Sequence, residues 1–355
     1  FGLVHFESDP LGYGGAAAIK GAMVDGKDTP PGAGLREDML AVPGLVRNFD
    51  VGTVAAFGDR CAAAGRLQLC GEGSNLFVPP KWPRMLSRQR GYDFRFAAES
   101  ATQTRSYPLE DWAVLGLSNS GRTAETVRLF RDLVAAGHPL TGVLTADGTS
   151  TLAELTDHAF TLAAGPEHAV AATKTVVEEA LFVLALCERM AGDASERSLA
   201  PRLGALADAL EATLSAPAPA AHDDFVARLA GEDSPTIFWA GLNDGVAEEL
   251  TLKTFETVRR HADHLEGTFA LHGVEEVMRP GDVVLWIDPV SEEEERAREE
   301  ARAKAQEAAD EAGCGSEYKK AIRCIVSKGS CQDGAFDVDD NSCLEEAADF
   351  GDCVE

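Results

Sequence analysis

Long hydrophobic runs are absent from this sequence of 355 residues. No apolar stretch approaches the roughly 20 residues that a helix needs to cross a bilayer. A basic segment followed by an apolar one, as in a secretory leader, is absent too. We therefore expect a cytoplasmic protein that has no membrane as its partner.

Basic residues are also scarce, and lysine most of all. Lysine and arginine together number 32 against 59 acidic residues, which gives a formal net charge of -27. Only nine of the basic residues are lysine, and 23 are arginine. Such a negative field repels nucleic acid, so we expect no nucleic-acid partner. High Asp and Glu with little Lys is typical of halophilic proteins, in which salt screens the excess charge; an acidic mesophilic protein is the alternative.

Paired cysteine motifs are a third absence. The eight cysteines form no C-x-x-C pair, and five of them crowd the C-terminal end: Cys314, Cys324, Cys331, Cys343 and Cys353. An odd group of five supports neither a zinc ribbon nor a closed disulfide framework. We expect free thiols in structural roles and neither a cofactor nor a metal, with disulfide pairing and metal binding as the alternatives.

Short apolar strands alternate with helices along the chain, which indicates a parallel sheet covered on both faces. In the first part the pattern predicts strands over 67–71, 92–99, 112–117, 140–145 and 159–163, and helices over 76–89, 123–136 and 173–190. After a helix over 199–214 and a Pro/Ala-rich stretch, the order restarts. The later part is predicted to have strands over 236–240, 282–287 and 321–326, helices over 224–229, 246–259, 291–312 and 344–350, and a helix start over 272–278.

This repetition predicts an α/β protein with two doubly wound parallel-sheet domains in tandem, each a flavodoxin-like three-layer sandwich. Residues 1–35 are then an N-terminal arm, and residues 36–197 are the first domain. Residues 198–234 are a helical connector and linker, and residues 235–355 are the second domain with an acidic, cysteine-bearing end.

The turn at residues 118–125, SNSGRTAE, is the most informative stretch because it follows an apolar strand and begins an amphipathic helix. A helix N-terminus leaves backbone N–H groups unpaired and carries a partial positive charge, so it attracts an anion. Ser118, Ser120 and Thr123 add hydroxyl donors. The pattern predicts a phosphate site, and the alternative is an N-cap with no ligand.

A second stretch of this kind lies downstream at residues 165–175, GPEHAVAATKT. Small residues and a lysine again precede a long helix. Capping alone does not readily explain two helix starts of this kind in one domain. Their presence therefore favours the phosphate interpretation.

Lys253 and Glu256 are three residues apart on a predicted helix and therefore share one face. In isolation such a pair is most often a surface ion pair that contributes little. A carboxylate, a lysine and a histidine beside a phosphate site are, however, the groups that aldose–ketose chemistry requires. Glu256 could move the proton, and His272 could open the sugar ring because an imidazole titrates near neutrality.

Five stretches taken together resemble the SIS (sugar isomerase) domain family. They are CGEGSN at 70–75, GLSNSGRTAET at 116–126, GPEHAVAATKT at 165–175, AEELTLKTFETVRRHAD at 247–263 and EGTFALHG at 266–273. They occur in the family's order over residues 36–290. The chain is similar to the isomerase half of glucosamine-6-phosphate synthase and to ketosamine-6-phosphate deglycases, so the two predicted domains would be SIS domains.

The resemblance implies a role for each matching residue. The substrate phosphate would be bound by Ser74, Asn75, Ser118, Asn119, Ser120 and Thr123. The sugar would be lined by Val170, Ala171 and Ala172. Lys253 and Glu256 would act at the reacting carbons with Glu256 as base, and His272 would open the ring, often across a subunit interface. Relatives are commonly dimers or higher oligomers, so we expect a homodimer or a larger homo-oligomer.

Three positions depart from the family's usual residues. Asn75 stands where a serine is usual, Asn119 replaces a frequent glutamine, and Ala172 replaces a frequent serine. The sequence also shows neither a glutaminase half nor the synthase's C-terminal lysine tail. We therefore expect an enzyme that does not draw ammonia from glutamine by itself.

The resemblance predicts an enzyme for a phosphorylated amino sugar or ketosamine, acting as an isomerase or as a deaminase or deglycase. The alternative, from a different class, is a regulator that binds a sugar phosphate without catalysis. The small-molecule partner is a sugar phosphate in both cases.

Overall fold

The computed structural model describes residues 32–217, 226–227, 235–241, 245–266, 269, 272–279, 282–287, 330–332 and 335–337. The chain divides into two compact units, residues 1–287 and residues 288–355. Within the first unit we call residues 32–217 the front half and residues 235–287 the rear half.

Five parallel strands form the sheet of the front half. They are β1 Arg66–Gly71, β2 Arg95–Ser100, β3 Ala113–Leu117, β4 Thr141–Thr145 and β5 Ala159–Thr161. Their order is β2-β1-β3-β4-β5, and every pairing is parallel. This is the flavodoxin-like order, in which ligands bind beyond the carboxyl ends of β1 and β3, where the strand order reverses. The predicted α/β class is confirmed.

Seven helices accompany this sheet among the described residues. They are α1 Ala33–Arg47, α2 Ala55–Ala64, α3 Val78–Gln89, α4 Ala101–Thr104, α5 Ala124–Ala135, α6 Lys174–Ala191 and α7 Leu199–Ser215. Short 3-10 turns occur at Val51–Val54, Gly73–Leu76 and Ala153–Leu155. The sequence analysis missed α1 and α2, and α1 begins three residues before the predicted start of the first domain. The predicted domain boundaries stay predictions.

Hydrophobic clusters cover both faces of the sheet. Every residue of β3 is buried, and its side chains alternate between the two faces as a strand requires. Leu115 belongs to the cluster that contains Phe182 of α6. Val114 belongs to the opposite cluster, which contains Phe130 of α5. Burial on both faces explains why the predicted strands read as continuous apolar runs.

Three parallel strands form the smaller sheet of the rear half. They are β6 Ile237–Gly241, β7 Ala262–Glu266 and β8 Val283–Ile287, in the order β7-β6-β8. The sequence analysis missed β7, because only Ala262 and Leu265 of this strand are buried. A sheet of this size leaves the predicted tandem pair of domains a prediction.

The helical elements of the rear half differ from their prediction in two places. The helix predicted over 246–259 is an α-helix, α8, only over Val246–Lys253, and it continues as a π-helix over Thr254–Val258. The helix start predicted over 272–278 is a turn followed by one short 3-10 turn, Glu275–Val277. The end of α8 and the region after β7 are therefore less regular than the prediction.

Several predicted elements lie outside the described residues. These are most of the N-terminal arm over 1–35, most of the helix over 224–229, and the elements over 291–312, 321–326 and 344–350. The second unit shows two strands that were not predicted, β9 Ser330–Gln332 and β10 Ala335–Asp337, which pair antiparallel.

Three predictions about thiols, membrane spans and metal ligands can be compared with the described residues. Cys61, Cys70 and Cys187 are buried free thiols, as predicted. No described helix has both the length and the apolar character that crossing a bilayer requires. Within the same residues, no three His, Cys, Asp or Glu side chains are grouped in a way that could hold a metal ion.

The two halves approach closely where α8 begins. Gly245 precedes α8 with a φ of 96°, in the left-handed region that favours glycine. A Cβ at Gly245 would lie 2.6 Å from the backbone carbonyl carbon of Phe77, at the start of α3. Lys81 of α3 forms an ion pair with Glu248 of α8. The start of the rear half's helix thus packs directly on the loop that follows β1.

Candidate functional site

The turn Ser118–Thr123 joins β3 to α5 at the carboxyl edge of the sheet. Gly121 has a φ of 60° in this turn, and a Cβ there would lie 2.0 Å from Ser150 Oγ. The carbonyl of Gly121 accepts a hydrogen bond from the Leu152 N–H at 3.0 Å. The turn is therefore fixed against the loop after β4, with no room for a side chain between them.

The three hydroxyls of this turn have different surroundings. Ser118 is buried, and its Oγ lies 2.8 Å from Thr123 Oγ1, so these hydroxyls share one hydrogen bond. Ser120 is exposed, and its Oγ accepts from the N–H of Arg122 at 3.2 Å. Each hydroxyl keeps capacity for another hydrogen bond, because it has one donor and two acceptor positions.

The N-terminus of α5 directly follows this turn. The side chain of Thr123, its N-cap residue, makes no capping hydrogen bond. The helix begins at the carboxyl end of β3, beside the point where the strand order reverses. Unpaired N–H groups and the positive end of the helix dipole at such a place attract an anion. The geometry of this turn therefore suits a phosphate group.

The second helix opening, residues 165–175, has a different structure. Glu167 Oε1 accepts hydrogen bonds from the Thr173 N–H at 2.9 Å, the Thr175 N–H at 2.8 Å and the Thr175 hydroxyl at 2.6 Å. Lys174 is buried, and its Nζ lies 3.0 Å from Asp38 Oδ1. The protein's own carboxylates thus engage the amides and the lysine. Capping by Glu167 thus accounts for the start of α6, so this stretch no longer supports the phosphate interpretation of the turn at 118–123.

Asn119 links the two openings. Its Nδ2 donates to Thr175 Oγ1 at 3.3 Å. Its backbone carbonyl accepts from the Ala146 N–H at 2.9 Å and from the Thr145 hydroxyl at 3.1 Å. The Asn119 side chain therefore holds the turn of α5 against the start of α6, and its role as a phosphate donor stays a prediction.

The predicted sugar-lining residues lie in the loop before α6. Val170 is 68 % exposed and Ala171 is 4 % exposed. Ala172 is half-buried. The loop borders the turn of α5, since Asn119 contacts Thr175 at its end. Contact of these three residues with a sugar stays a prediction.

Ser74 and Asn75 lie in the 3-10 turn directly after β1. Ser74 Oγ accepts a hydrogen bond from Lys253 Nζ at 3.1 Å. Asn75 Nδ2 lies 2.7 Å and 2.9 Å from the two carboxylate oxygens of Glu179. Both side chains thus have partners within the protein, and their roles as phosphate donors stay predictions.

Lys253 joins the two halves of the first unit. Its Nζ lies 2.8 Å from Glu256 Oε2 and 3.2 Å from Glu249 Oε1, in addition to its contact with Ser74. The side chains of Lys253 and Glu256 are only 17 % and 25 % exposed. This pair therefore differs from an exposed surface ion pair, which is screened by water and contributes little. The structure brings Lys253, Glu256 and Ser74 together.

Glu256 lies in the π-helical turn that continues α8. π-helical turns are rare and occur frequently at functional sites. Arg259, which directly follows this turn, has a φ of 54°, a strained conformation for a residue other than glycine. The strain and the wide turn are confined to the segment that carries Glu256.

His272 is exposed and lies in a turn of the rear half. Its backbone N–H donates to the carbonyl of Phe269 at 3.1 Å. The predicted approach of His272 to Lys253 and Glu256, from the same chain or from another copy, stays a prediction.

Two buried carboxylates beside this group were missed by the sequence analysis, Glu179 of α6 and Glu249 of α8. Burial raises the pKa of Glu179 well above its usual value, and the charge of Glu249 adds to this while Asn75 opposes it. Burial also raises the pKa of Glu249, against the effect of Lys253. The spacing of Glu249 four residues before Lys253 was an available signal. No signal pointed to Glu179, whose partner Asn75 lies 104 positions earlier.

Comparison with known proteins places this site in a family context. Residues 90–189 match the family model of the SIS domain. The chain is 30 % identical over 234 residues to the glutamine--fructose-6-phosphate aminotransferase [isomerizing] of Aeropyrum pernix, an alignment that covers 64 % of this chain and 37 % of that protein. The chain spans about a third of the length of the curated relatives it matches.

Solved structures agree with this comparison. A provisionally named phosphosugar isomerase from Silicibacter pomeroyi DSS-3 is 26 % identical with a TM-score of 0.57, and the match covers 71 % of this chain and 77 % of that chain. The C-terminal domain of glucosamine-fructose-6-phosphate aminotransferase from Francisella tularensis shares the fold, with 18 % identity, a TM-score of 0.59 and coverage of 77 % and 79 %. The resemblance to SIS domain proteins inferred from the motifs is confirmed.

Proposed function

We propose that this SIS-domain protein is an enzyme for sugar phosphates. It isomerises an aldose–ketose pair, or it releases ammonia or an amine from a phosphorylated amino sugar or ketosamine. The contact of Lys253 Nζ with Ser74 Oγ at 3.1 Å and with Glu256 Oε2 at 2.8 Å carries the proposal. It sets a cation and a carboxylate of the rear half beside the loop that follows β1 in the front half.

The phosphate group binds at the turn Ser118–Thr123. The first-turn amides of α5 and the hydroxyls of Ser118, Ser120 and Thr123 supply the donors. Charge-assisted hydrogen bonds contribute about 1.5–3 kcal/mol each. Three or four of them give a gross attraction comparable with the roughly 8 kcal/mol of a micromolar complex.

Glu256 acts as the base at the reacting carbons. Its carboxylate takes a proton from the carbon beside the carbonyl and returns it to the neighbouring carbon, through an enediol or enolamine. Lys253 stabilises the negative charge that develops on the substrate oxygen. The same proton transfer precedes loss of nitrogen, which is why isomerase and deaminase or deglycase chemistry share one set of residues.

His272 opens the ring in this proposal, since an imidazole can exchange a proton near neutral pH. Its exposed position suits a residue that acts on the site of a second copy of the chain. The proposal therefore includes a homodimer or a larger homo-oligomer, which size-exclusion chromatography with light scattering would detect.

The experiment is incubation of the protein with glucosamine 6-phosphate, with fructose 6-phosphate plus ammonia, and with fructosamine 6-phosphates. Product sugars and free amine are followed separately, so isomerisation and amine release are distinguished. Glu256→Gln should lower kcat about 100-fold to 10,000-fold because the base is lost, which is the usual contribution of general base catalysis. Glu154→Gln, at an exposed position of the 3-10 turn Ala153–Leu155, is the matched control.

A different outcome would favour the alternative function. Binding of a sugar phosphate without turnover, unchanged in Glu256→Gln, would identify a regulator. Absence of both binding and turnover for all three substrate classes would contradict the proposal.

A further inference from the structure

We propose that Asp38 and Glu167 are positioning residues that hold Val170–Ala172, one wall of the site, between two fixed ends. The proposal rests on the proposed function for its kinetic consequence. Neither carboxylate touches the turn that receives the phosphate, so both act through the loop.

Asp38 fixes the first end of this wall. Its carboxylate is 0 % exposed. It accepts hydrogen bonds from the His168 N–H at 2.7 Å and the Ala169 N–H at 3.0 Å, and its Oδ1 lies 2.8 Å from His168 Nδ1. Lys174 Nζ, at 3.0 Å, balances its charge. A buried carboxylate with four such partners holds the backbone at 168–169 in one place.

Glu167 fixes the second end. Its Oε1 accepts from the N–H groups of Thr173 and Thr175, at 2.9 Å and 2.8 Å. These bonds close the loop onto the start of α6. Only the three residues Val170–Ala172 remain between the two anchored ends.

The wall adjoins the phosphate turn through one further contact. Thr175 Oγ1 donates to Glu167 at 2.6 Å and accepts from Asn119 Nδ2 at 3.3 Å. Asn119 belongs to the turn Ser118–Thr123. The chain of contacts from Glu167 through Thr175 to Asn119 therefore sets the distance between the wall and the bound phosphate.

Two variants separate positioning from stability. Both Lys174→Met and Asp38→Ala/Lys174→Met lose the buried ion pair, but only the double variant loses the acceptor for the loop amides. Relative to Lys174→Met, the double variant should lower kcat/KM for the sugar phosphate at least tenfold. Its Kd for inorganic phosphate should stay within twofold, because the turn of α5 is intact.

Hydrogen exchange supplies a readout that does not depend on activity. The amides of His168 and Ala169 should exchange at least tenfold faster in the double variant than in Lys174→Met. Equal exchange rates, equal kcat/KM values, or a parallel loss of inorganic phosphate binding would each overturn the proposal. If the unmodified protein turns over no sugar phosphate, the proposed function fails, and the exchange comparison still decides whether Asp38 anchors the loop.

Glu167→Gln serves as the second variant in case the double variant does not fold. It keeps one acceptor oxygen and the side-chain volume, so we expect a threefold to tenfold fall in kcat/KM with unchanged inorganic phosphate binding. A change of less than twofold in kcat/KM would overturn the role of Glu167.

Discussion

The starts of α5 and α6 are built from similar small and hydroxyl-bearing residues, yet their amides have different partners. At α5, the side chain of the N-cap residue Thr123 makes no capping hydrogen bond. At α6, Glu167 accepts from the Thr173 and Thr175 amides. Both helix starts attract negative charge. Glu167 meets this attraction at α6, and we propose that a substrate phosphate meets it at α5.

The difference shows what separates an anion site from a cap in this fold. A carboxylate eight residues before Thr175 supplies the charge at α6. The turn of α5 has no such carboxylate at the corresponding distance upstream, since residues 112–119 read WAVLGLSN. In the proposed function, Glu167 therefore holds the loop before α6, and the N-terminus of α5 receives the substrate phosphate.

Replacement of Gly121 should have the largest effect on this comparison. Gly121→Ala places a Cβ 2.0 Å from Ser150 Oγ at a φ of 60°. The left-handed backbone costs about 1–2 kcal/mol and overpacking about 1–3 kcal/mol. We expect a loss of about 2–5 kcal/mol in the free energy of unfolding, measured with urea, together with loss of phosphate binding.

Gly137→Ala is the matched control for that clash. Gly137 follows α5 with a φ of 66° and has no atom within 4 Å of a Cβ position. Gly137→Ala should lower the free energy of unfolding only by the cost of the left-handed backbone, about 1–2 kcal/mol. An equal loss in both variants would contradict the close packing of the turn on Ser150.

Replacement of Glu167 by alanine should leave the first-turn amides of α6 without a carboxylate partner from the chain, as at α5. Glu167→Ala leaves the Thr173 and Thr175 amides without their acceptor, which should cost about 2–4 kcal/mol of unfolding free energy. It should also create a second binding site for inorganic phosphate, visible in the stoichiometry of isothermal titration calorimetry. Glu154→Ala is the control, and a single phosphate site in Glu167→Ala would contradict the comparison.

Ser118→Ala tests the start of α5 directly. The variant loses the hydroxyl that lies 2.8 Å from Thr123 Oγ1. We expect inorganic phosphate to bind about tenfold more weakly, which corresponds to about 1.4 kcal/mol. Ser106→Ala, which removes an exposed hydroxyl that donates to the Gln103 carbonyl at 2.7 Å, should leave binding unchanged. Equal affinities in the two variants would count against the phosphate turn.

Glu179 is a second carboxylate to set beside Glu167. It lies within α6 and accepts from the Asn75 side chain, not from helix amides. Burial raises its pKa well above the usual value, so the folded state holds the proton more tightly than the unfolded state does. Glu179 therefore destabilises the fold increasingly as pH rises above about 4.3, its unfolded value. Glu179→Gln should raise Tm by a few degrees at pH 8 and by less at pH 5, measured by calorimetry. A larger gain at pH 5 would contradict the raised pKa.

Local pattern was enough for most of the front half. The strands β1, β3 and β4 were predicted to within one residue, because they are apolar runs bounded by turns and buried on both faces. The prediction failed where a strand has little apolar area, as in β7, or where a helix changes its period, as at Thr254. α1 was not predicted, and its start at Ala33 lies within the stretch that was assigned to the N-terminal arm.

The candidate site likewise contains contacts that the sequence predicted and contacts that it did not. The pairing of Lys253 with Glu256 was predicted from a spacing of three residues, and the two are 2.8 Å apart. The roles of Asp38, Glu167 and Glu179 were not predicted. In the sequence these acidic residues look like any solvated ones, and only the fold buries Asp38 and Glu179 and brings Glu167 to the start of α6.

The sequence by itself determined the alternation of strands and helices, the hydroxyl-bearing turn and the shared face of Lys253 and Glu256, because each depends on residues a few positions apart. Only the tertiary structure decided which helix start accepts a carboxylate of the chain, since that depends on where Glu167 reaches. It also decided that Lys253 meets Ser74 across 179 positions of the chain. Contacts of this length are set by the packing of the whole sheet and its helices, and no local pattern encodes them.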